Sequence, residues 1–413
     1  MNHQFERLER TKVFRDPIYG YINVDYKIIA RLIDTYEFQR LRRIRQLSGV
    51  SMVFQTAEHS RFTHSLGAYE LANLCVKGIE GLKESLTEYE QLVFLISALL
   101  HDVGHGPYSH AFEHVMQVSH EEMTVRLIVG NTEINQVLKE IPGMAKDVAS
   151  VIAHEGKYPL IEALTSSQLD VDRMDYLSRD AYFTGACYGN IDFRRIIRSL
   201  LVLDGKLYLR ASGVNSVESY IMARYHMYWQ VYYHPVARAY ELLLQSIYKR
   251  VYDLTTNNLN INASVSALIN VIKDSNDLDS YVLLDDSYVN GMIKQLTSVD
   301  DEILKDLALS FEKRHLYKYK ELVTEADEIY LNEIKKVIPS KYLPYYYIET
   351  KVSQRAYLHV EEDKYDINDI KIITQQHEII SLEEYSPIIR GLISSATKTS
   401  IRVFYKEIPC QIL

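Results

Sequence analysis

The run Leu92-Val-Phe-Leu-Ile-Ser-Ala-Leu-Leu100 leads straight into His101-Asp102, so a helix apolar on nearly every side carries an imidazole and a carboxylate toward a protein interior. Taking such groups out of water costs several kcal/mol unless partners meet them, and a divalent cation is the strongest partner available. The loop that follows, Val103-Gly-His-Gly-Pro-Tyr-Ser-His110, adds two more histidines and the backbone freedom of Gly104 and Gly106. The stretch reads as the floor of a metal site. A lone histidine is far more often a packed or capping residue; the apolar helix ending in the pair is what shifts the reading.

The totals narrow the function classes. A chain of 413 residues can bury a large core. Its net charge of −9 argues against coating nucleic acid, so nucleic acid is not expected as a partner and a polyanionic ligand must meet a local cluster of Arg and Lys. Cys75, Cys187 and Cys410 are scattered and odd in number, as suits a reducing cytoplasm. The charged N-terminus lacks a secretory apolar run, and no stretch reaches the roughly 20 apolar residues of a membrane span, so a soluble cytoplasmic protein without a membrane partner is expected.

Periodicity predicts a mainly α fold with small hairpins and an α+β tail. Lys12 to Val24, punctuated by Pro17 and Gly20, suits a hairpin. Apolar residues then recur at helical spacing from Tyr26, with a break at Asp34-Thr35, and helices are predicted over Ser65–Glu80, Tyr89–Asp102, Pro107–Met116, Glu121–Val129, Gln168–Tyr182 and, as one long element, Ser216–Tyr252. Asp204-Gly205 marks a hairpin within Leu201–Ala211. Beyond Lys320, Tyr345–Val352, Ala356–Val360 and Ser400–Tyr405 read as strands. The expected organisation is a regulatory segment over 1–25, a helical catalytic body over 26–320 and an appendage over 321–413 packed on that body.

Four candidate ligands, His64, His101, Asp102 and Asp172, make a mixed nitrogen and oxygen shell that suits Mn, Fe, Ni, Zn or Mg. With Pro107 in a first helical turn, His110, Glu113 and His114 share a face, and a carboxylate one turn from an imidazole raises its pKa and orients its proton. A solvated helix face would show the same spacing. Asp172, Tyr176 and Asp180 fall at i, i+4 and i+8, and Arg224, Tyr228 and Tyr232 repeat that spacing. Aromatic stripes are usually core, but these mix ring with charge.

The blocks Arg61-Phe-Thr-His-Ser-Leu-Gly67, His101-Asp-Val-Gly-His-Gly-Pro-Tyr-Ser-His110 and Asp170-Val-Asp-Arg-Met-Asp-Tyr176 resemble the HD superfamily. More narrowly they are similar to its deoxynucleoside triphosphate triphosphohydrolases, the branch of bacterial dNTPases and the vertebrate sterile-alpha-motif and HD-domain proteins. The likeness is dense from about Lys12 to His234. It implies that His64, His101, Asp102 and Asp172 are metal ligands, and that His105, His110, Glu113 and His120 flank the α-phosphate with His110 as general acid or nucleophile. It further implies that Arg61, Arg173 and Arg224 hold phosphates, that Tyr176 stacks on the deoxyribose, that Asp180 and Gln46 bind the 3′-hydroxyl, and that Leu47, Tyr228 and Tyr232 line the pocket. Arg173 stands where the vertebrate enzyme has Lys, and Tyr228 where it has His.

The same resemblance implies a guanine-nucleotide effector, dGTP or GTP, held by Lys12, Val13, Asp34, Gln39 and Arg42, with Arg195 and Arg314 reaching it across a subunit boundary in a homotetramer. Arg15 replaces an Asn there, and the arginines between Arg31 and Arg45 could instead form a solvated basic face. The expected activity is metal-dependent hydrolysis of a dNTP to deoxynucleoside and inorganic triphosphate. Rival readings are an HD phosphodiesterase or nucleotidase acting on another phosphorylated substrate, and a nucleotide-sensing or single-strand-binding module.

Overall fold

The computed structural model describes residues 5–259, 261, 265–354, 370–394 and 398–407. Its opening strands, Arg7–Asp16 and Gly20–Tyr26, pair antiparallel with Phe14 opposite Ile22. Ile22, Val24 and Tyr26 alternate inward, as a period of two requires. Helices Lys27–Asp34 and Tyr36–Arg40 follow, separated at Thr35.

The central helix, Glu88–Leu100, is opened by a capping box: the Thr87 hydroxyl accepts from Glu90 N while the Glu90 carboxylate accepts from Thr87 N, a pairing worth about 1 kcal/mol. Every residue from Leu92 to Leu100 is buried. This helix packs on Arg61–Gly78 and Met144–Ile152, and Val171–Thr184 packs on Arg61–Gly78 in turn. Gly67 permits that last approach, because a Cβ there would stand 1.9 Å from Asp175 Oδ1.

Two predicted helices differ from those observed. Ser216–Tyr252 is not one element but Val214–Met227, a π-helical turn over Tyr228–Tyr232, and Pro235–Thr256. Pro235 has no N–H to continue the ladder and drives His234 into extended backbone at ψ 125°. The helix expected from Pro107 begins only at His110, after Tyr108 and Ser109 at φ 56° and 50°. A distant carboxylate overrides the local signal: Asp286 Oδ1 accepts from Tyr108 N at 2.8 Å, and Asn290 accepts from the Tyr108 hydroxyl at 2.6 Å.

Leu200–Leu203 and Lys206–Arg210 form the expected hairpin, with Asp204 and Gly205 both at positive φ as a two-residue turn demands. It is extended by Lys371–Ile373, parallel to Lys206–Arg210, and by Ile379–Ser381. In a second sheet Lys398–Tyr405 lies between Lys318–Leu322 and Tyr347–Gln354. These sheets draw strands from both sides of residue 320. The strand expected from Tyr345 starts at Tyr347, after the short helix Leu343–Tyr346, and Ala356–Val360 falls outside the described residues. The fold is mainly α with small sheets. Among the described residues, no helix is long and apolar enough to cross a membrane.

Candidate active site

Three helices bring the four proposed ligands together. His64 Nε2 stands 3.0 Å from Asp172 Oδ1, 3.2 Å from His101 Nε2 and 3.6 Å from Asp102 Oδ2. His101 Nε2 is 3.4 Å from both Asp102 Oδ1 and Asp172 Oδ1. Donor atoms of His64, His101 and Asp172 all lie within 4.8 Å of one another, a spread one ion can bridge with bonds of roughly 2.0–2.2 Å. Two imidazoles and two carboxylates fit a divalent ion, and the set does not choose among Mn, Fe, Ni, Zn and Mg. Both rings are aimed from behind: His101 Nδ1 meets Ala98 O at 2.9 Å and His64 Nδ1 meets Asp175 Oδ2 at 2.8 Å, leaving each Nε2 toward the cluster. Burial alone would lower the His64 pKa, but bonds to Asp172 and Asp175 outweigh it and lift it to about 10. Asp172 is held far below the usual carboxylate range by His101 and His64 against its own burial.

Asp102 joins this cluster to a second one. Its Oδ2 pairs with Arg61 and its Oδ1 lies 3.2 Å from His105 Nε2. The His105 and His120 rings stack at 3.9 Å, and Glu113 lies 3.3 Å from His110 Nδ1 and 3.0 Å from His120 Nδ1. Burial, Arg61 and His120 together push the His105 pKa well down, against the pull of Asp102. Glu113 is the opposite case: bonds from His110 and His120 overcome burial and keep it ionised. His110 projects into the cavity with a half-exposed side chain, whereas His114, expected on the same face, points to solvent. Arg61 is clamped between Asp102 and Ser109 Oγ, the latter at 2.8 Å. The strained backbone at Ser109, of order 1–3 kcal/mol, thus fixes a guanidinium.

A cavity of about 270 Å³ opens over both clusters. Of the residues proposed for substrate, Gln46, Leu47, Arg61, Tyr176, Asp180, Tyr228 and Tyr232 line it. Asp180 is wholly buried, with His59 Nε2 at 2.7 Å on one oxygen and the Tyr232 hydroxyl at 2.8 Å on the other. Gln46 Oε1 is buried without a hydrogen-bond partner among the described residues, an acceptor left for a ligand. Arg173 and Arg224, expected on the phosphates, stand behind the tyrosines that line the cavity: Arg173 Nε donates to buried Asp170 at 3.0 Å and Arg224 donates to Gln168 at 2.8 Å. The Arg224 guanidinium stands 5.6 Å from the centre of the Tyr228 ring.

Comparison with known proteins fits this geometry. The HD domain model matches residues 61–180 and the HD associated region model matches residues 191–407. The uncharacterized protein YwfO of Bacillus subtilis is 38% identical over 411 residues, which is 98% of this chain and 94% of that one. The chain belongs to the HD-domain phosphohydrolase family. Among solved structures, a phosphohydrolase from Bacteroides thetaiotaomicron superposes on 96% of the chain with a TM-score of 0.82 at 28% identity, and is itself covered to 100%. A Dictyostelium discoideum protein, deoxynucleoside triphosphate triphosphohydrolase SAMHD1 homolog, is 29% identical over 342 residues, 77% of this chain and 62% of its own length.

The remaining proposed residues of this HD-domain chain lie on its surface. Lys12 Nζ pairs with Asp34 at 2.9 Å, Arg42 Nε donates to Gln39 at 2.8 Å while stacking 3.5 Å over the Phe62 ring, and Val13 is exposed beside them on the hairpin. Arg195 and Arg314 make their contacts elsewhere, to Ser212 O and Met52 O. Sequence reasoning missed His59, Asp175, Arg179 and Asp286. Only the Asp175-to-Arg179 pair carried a local signal, an acid four residues before a base on one helix.

Proposed function

We propose that this HD-domain chain hydrolyses deoxynucleoside triphosphates to deoxynucleoside and inorganic triphosphate, under control of a guanine nucleotide and as a homotetramer. The observation that carries the reading is one cavity shared by the Asp102-linked clusters and by a buried carboxylate and tyrosines suited to a deoxyribose. A divalent ion held by His64, His101, Asp102 and Asp172 would supply Lewis-acid charge to a phosphoryl oxygen. Water adds at the α-phosphorus and the bond to O5′ breaks, with His110 delivering the proton to O5′; Glu113 orients that imidazole, a contribution of order 10²–10⁴-fold. Arg61, held rigid by Asp102 and Ser109, balances charge developing on the phosphate. Asp180 and Gln46 offer acceptors for the 3′-hydroxyl, and the Tyr176 ring crowds the 2′ position. The deoxynucleoside triphosphate triphosphohydrolase activity that names the SAMHD1 relatives supports the same choice. Lys12, Val13, Asp34, Gln39 and Arg42 would hold the effector of one subunit, with Arg195 and Arg314 supplied by others.

The test is release of inorganic triphosphate from each dNTP by purified protein, with Mn²⁺ and with or without dGTP or GTP. No release under any of these conditions rejects the reading. The engagement of Arg173 by Asp170 and of Arg224 by Gln168 favours one alternative, hydrolysis of a smaller phosphate ester that needs fewer guanidinium contacts. Turnover of deoxynucleoside monophosphates exceeding that of dNTPs would select it.

A further inference from the structure

Behind His64, away from the cavity, a buried chain of charges runs from the metal cluster to the N-terminal hairpin. Asp175, whose Oδ2 meets His64 Nδ1 at 2.8 Å, accepts on Oδ1 from the Tyr19 hydroxyl at 2.7 Å. The Arg179 guanidinium forks onto both oxygens of Asp175 at 2.9 and 3.0 Å, and its Nη1 donates to Asp16 Oδ2 at 2.8 Å. Asp16 uses its other oxygen to accept from the backbone of Ile18 and Tyr19 at 2.8 and 3.1 Å, so the carboxylate that meets Arg179 also folds the hairpin turn. Asp16, Asp175 and Arg179 are 5%, 0% and 0% exposed. At that depth a broken pair leaves an uncompensated charge, so the chain holds or fails as a unit.

We propose that the hairpin is a working part of the metal centre: Tyr19 and Asp16 seat Asp175 and Arg179, and these positioning residues hold the His64 ring for the ion. Ion affinity then depends on hairpin seating, and by reciprocity a bound ion tightens the hairpin. Lys12 and Val13 lie on the same hairpin, so a ligand gripping that face is felt at His64. The inference rests on the metal reading of the His64 cluster and on no particular substrate.

The experiment titrates Mn²⁺ into full-length wild type, Tyr19→Phe, Asp175→Asn and, as a control on an exposed hairpin ring, Tyr21→Phe, while amide exchange over residues 16–19 is followed with and without Mn²⁺. Tyr19→Phe should weaken Mn²⁺ about 10-fold and Asp175→Asn by 10- to 100-fold, the range for residues that orient a ligand from behind. Tyr21→Phe should bind as wild type does, and Mn²⁺ should slow exchange of residues 16–19 in wild type more than in Tyr19→Phe. Wild type that binds no divalent ion overturns the metal reading and this proposal with it. Wild-type binding together with unchanged affinity and exchange in a folded Tyr19→Phe overturns the coupling alone.

Discussion

The metal end of the cleft and the Lys12–Asp34 surface use the same kinds of residue in opposite ways. At His64, whose side chain and that of Asp175 are 0% exposed, acids and bases are cross-bonded so that the one imidazole meets both Asp172 and Asp175. At Lys12 and Asp34 the ammonium meets both carboxylate oxygens, at 2.9 and 3.0 Å, but the side chains are 36% and 65% exposed. Breaking a buried pair costs about 3–5 kcal/mol, whereas an exposed one contributes about 0–1. The first region is organised before any ligand arrives; the second offers groups whose main partner would be a ligand.

The hardest way to break the contrast is Asp172→Ala. It removes the carboxylate that stands between His64 Nε2 and His101 Nε2. Bound Mn²⁺ should be lost and kcat should fall on the order of 10³-fold or more, read by metal analysis and triphosphate release. A variant that keeps both would remove Asp172 from the centre. His110→Ala sharpens the picture within the same region. Because His110 meets Glu113 and is none of the four proposed ligands, kcat should drop by roughly 10²–10⁴ while metal content stays at the wild-type level. Equal loss of metal would merge the two clusters into one.

At the surface, Lys12→Ala with Arg42→Ala should lower Tm by no more than about 2 °C, since exposed pairs stabilise little. The dGTP concentration for half-activation should rise at least roughly tenfold, as expected when two charge-assisted contacts are lost. An unchanged activation curve would detach the patch from regulation.

The contrast also explains what the sequence could and could not disclose. His101, Asp102, His105 and His110 come from one helix end and the loop after it, so their chemistry is local and readable. Asp16 and Arg179 are 163 residues apart, and nothing near either one announces the other. The shape of the loop at Tyr108 is decided by Asp286, 178 residues on, which is why Pro107 misled as a helix start. The break at Pro235 is visible locally in the proline itself, but the apolar period runs on through both flanking helices and masks it. Arg224 has the chemistry of a phosphate ligand, and its bond to Gln168, 56 residues away, has no local signal.

Glu70 stands on the Arg61–Gly78 helix, which packs on the second hairpin strand. Burial pushes its carboxyl up to about 7, against the opposing pull of Lys77, Asn23 and Arg194. An unfolded chain releases this proton near 4.5 while the folded chain keeps it to about 7, so in that window the unfolded state binds fewer protons and stability falls as pH rises, then levels off. Glutamine stays neutral throughout. Glu70→Gln should therefore match wild type at pH 4 and exceed it at pH 8. Since Glu70 is only partly buried and water screens it, the gain is about 1 kcal/mol, or about 1–2 °C in Tm for a chain of this length. Melting curves at pH 4, 6 and 8 decide it: a difference that grows between pH 4 and pH 8 marks the junction as buried like the metal end, and one that is flat with pH makes it a surface contact like Lys12 and Asp34.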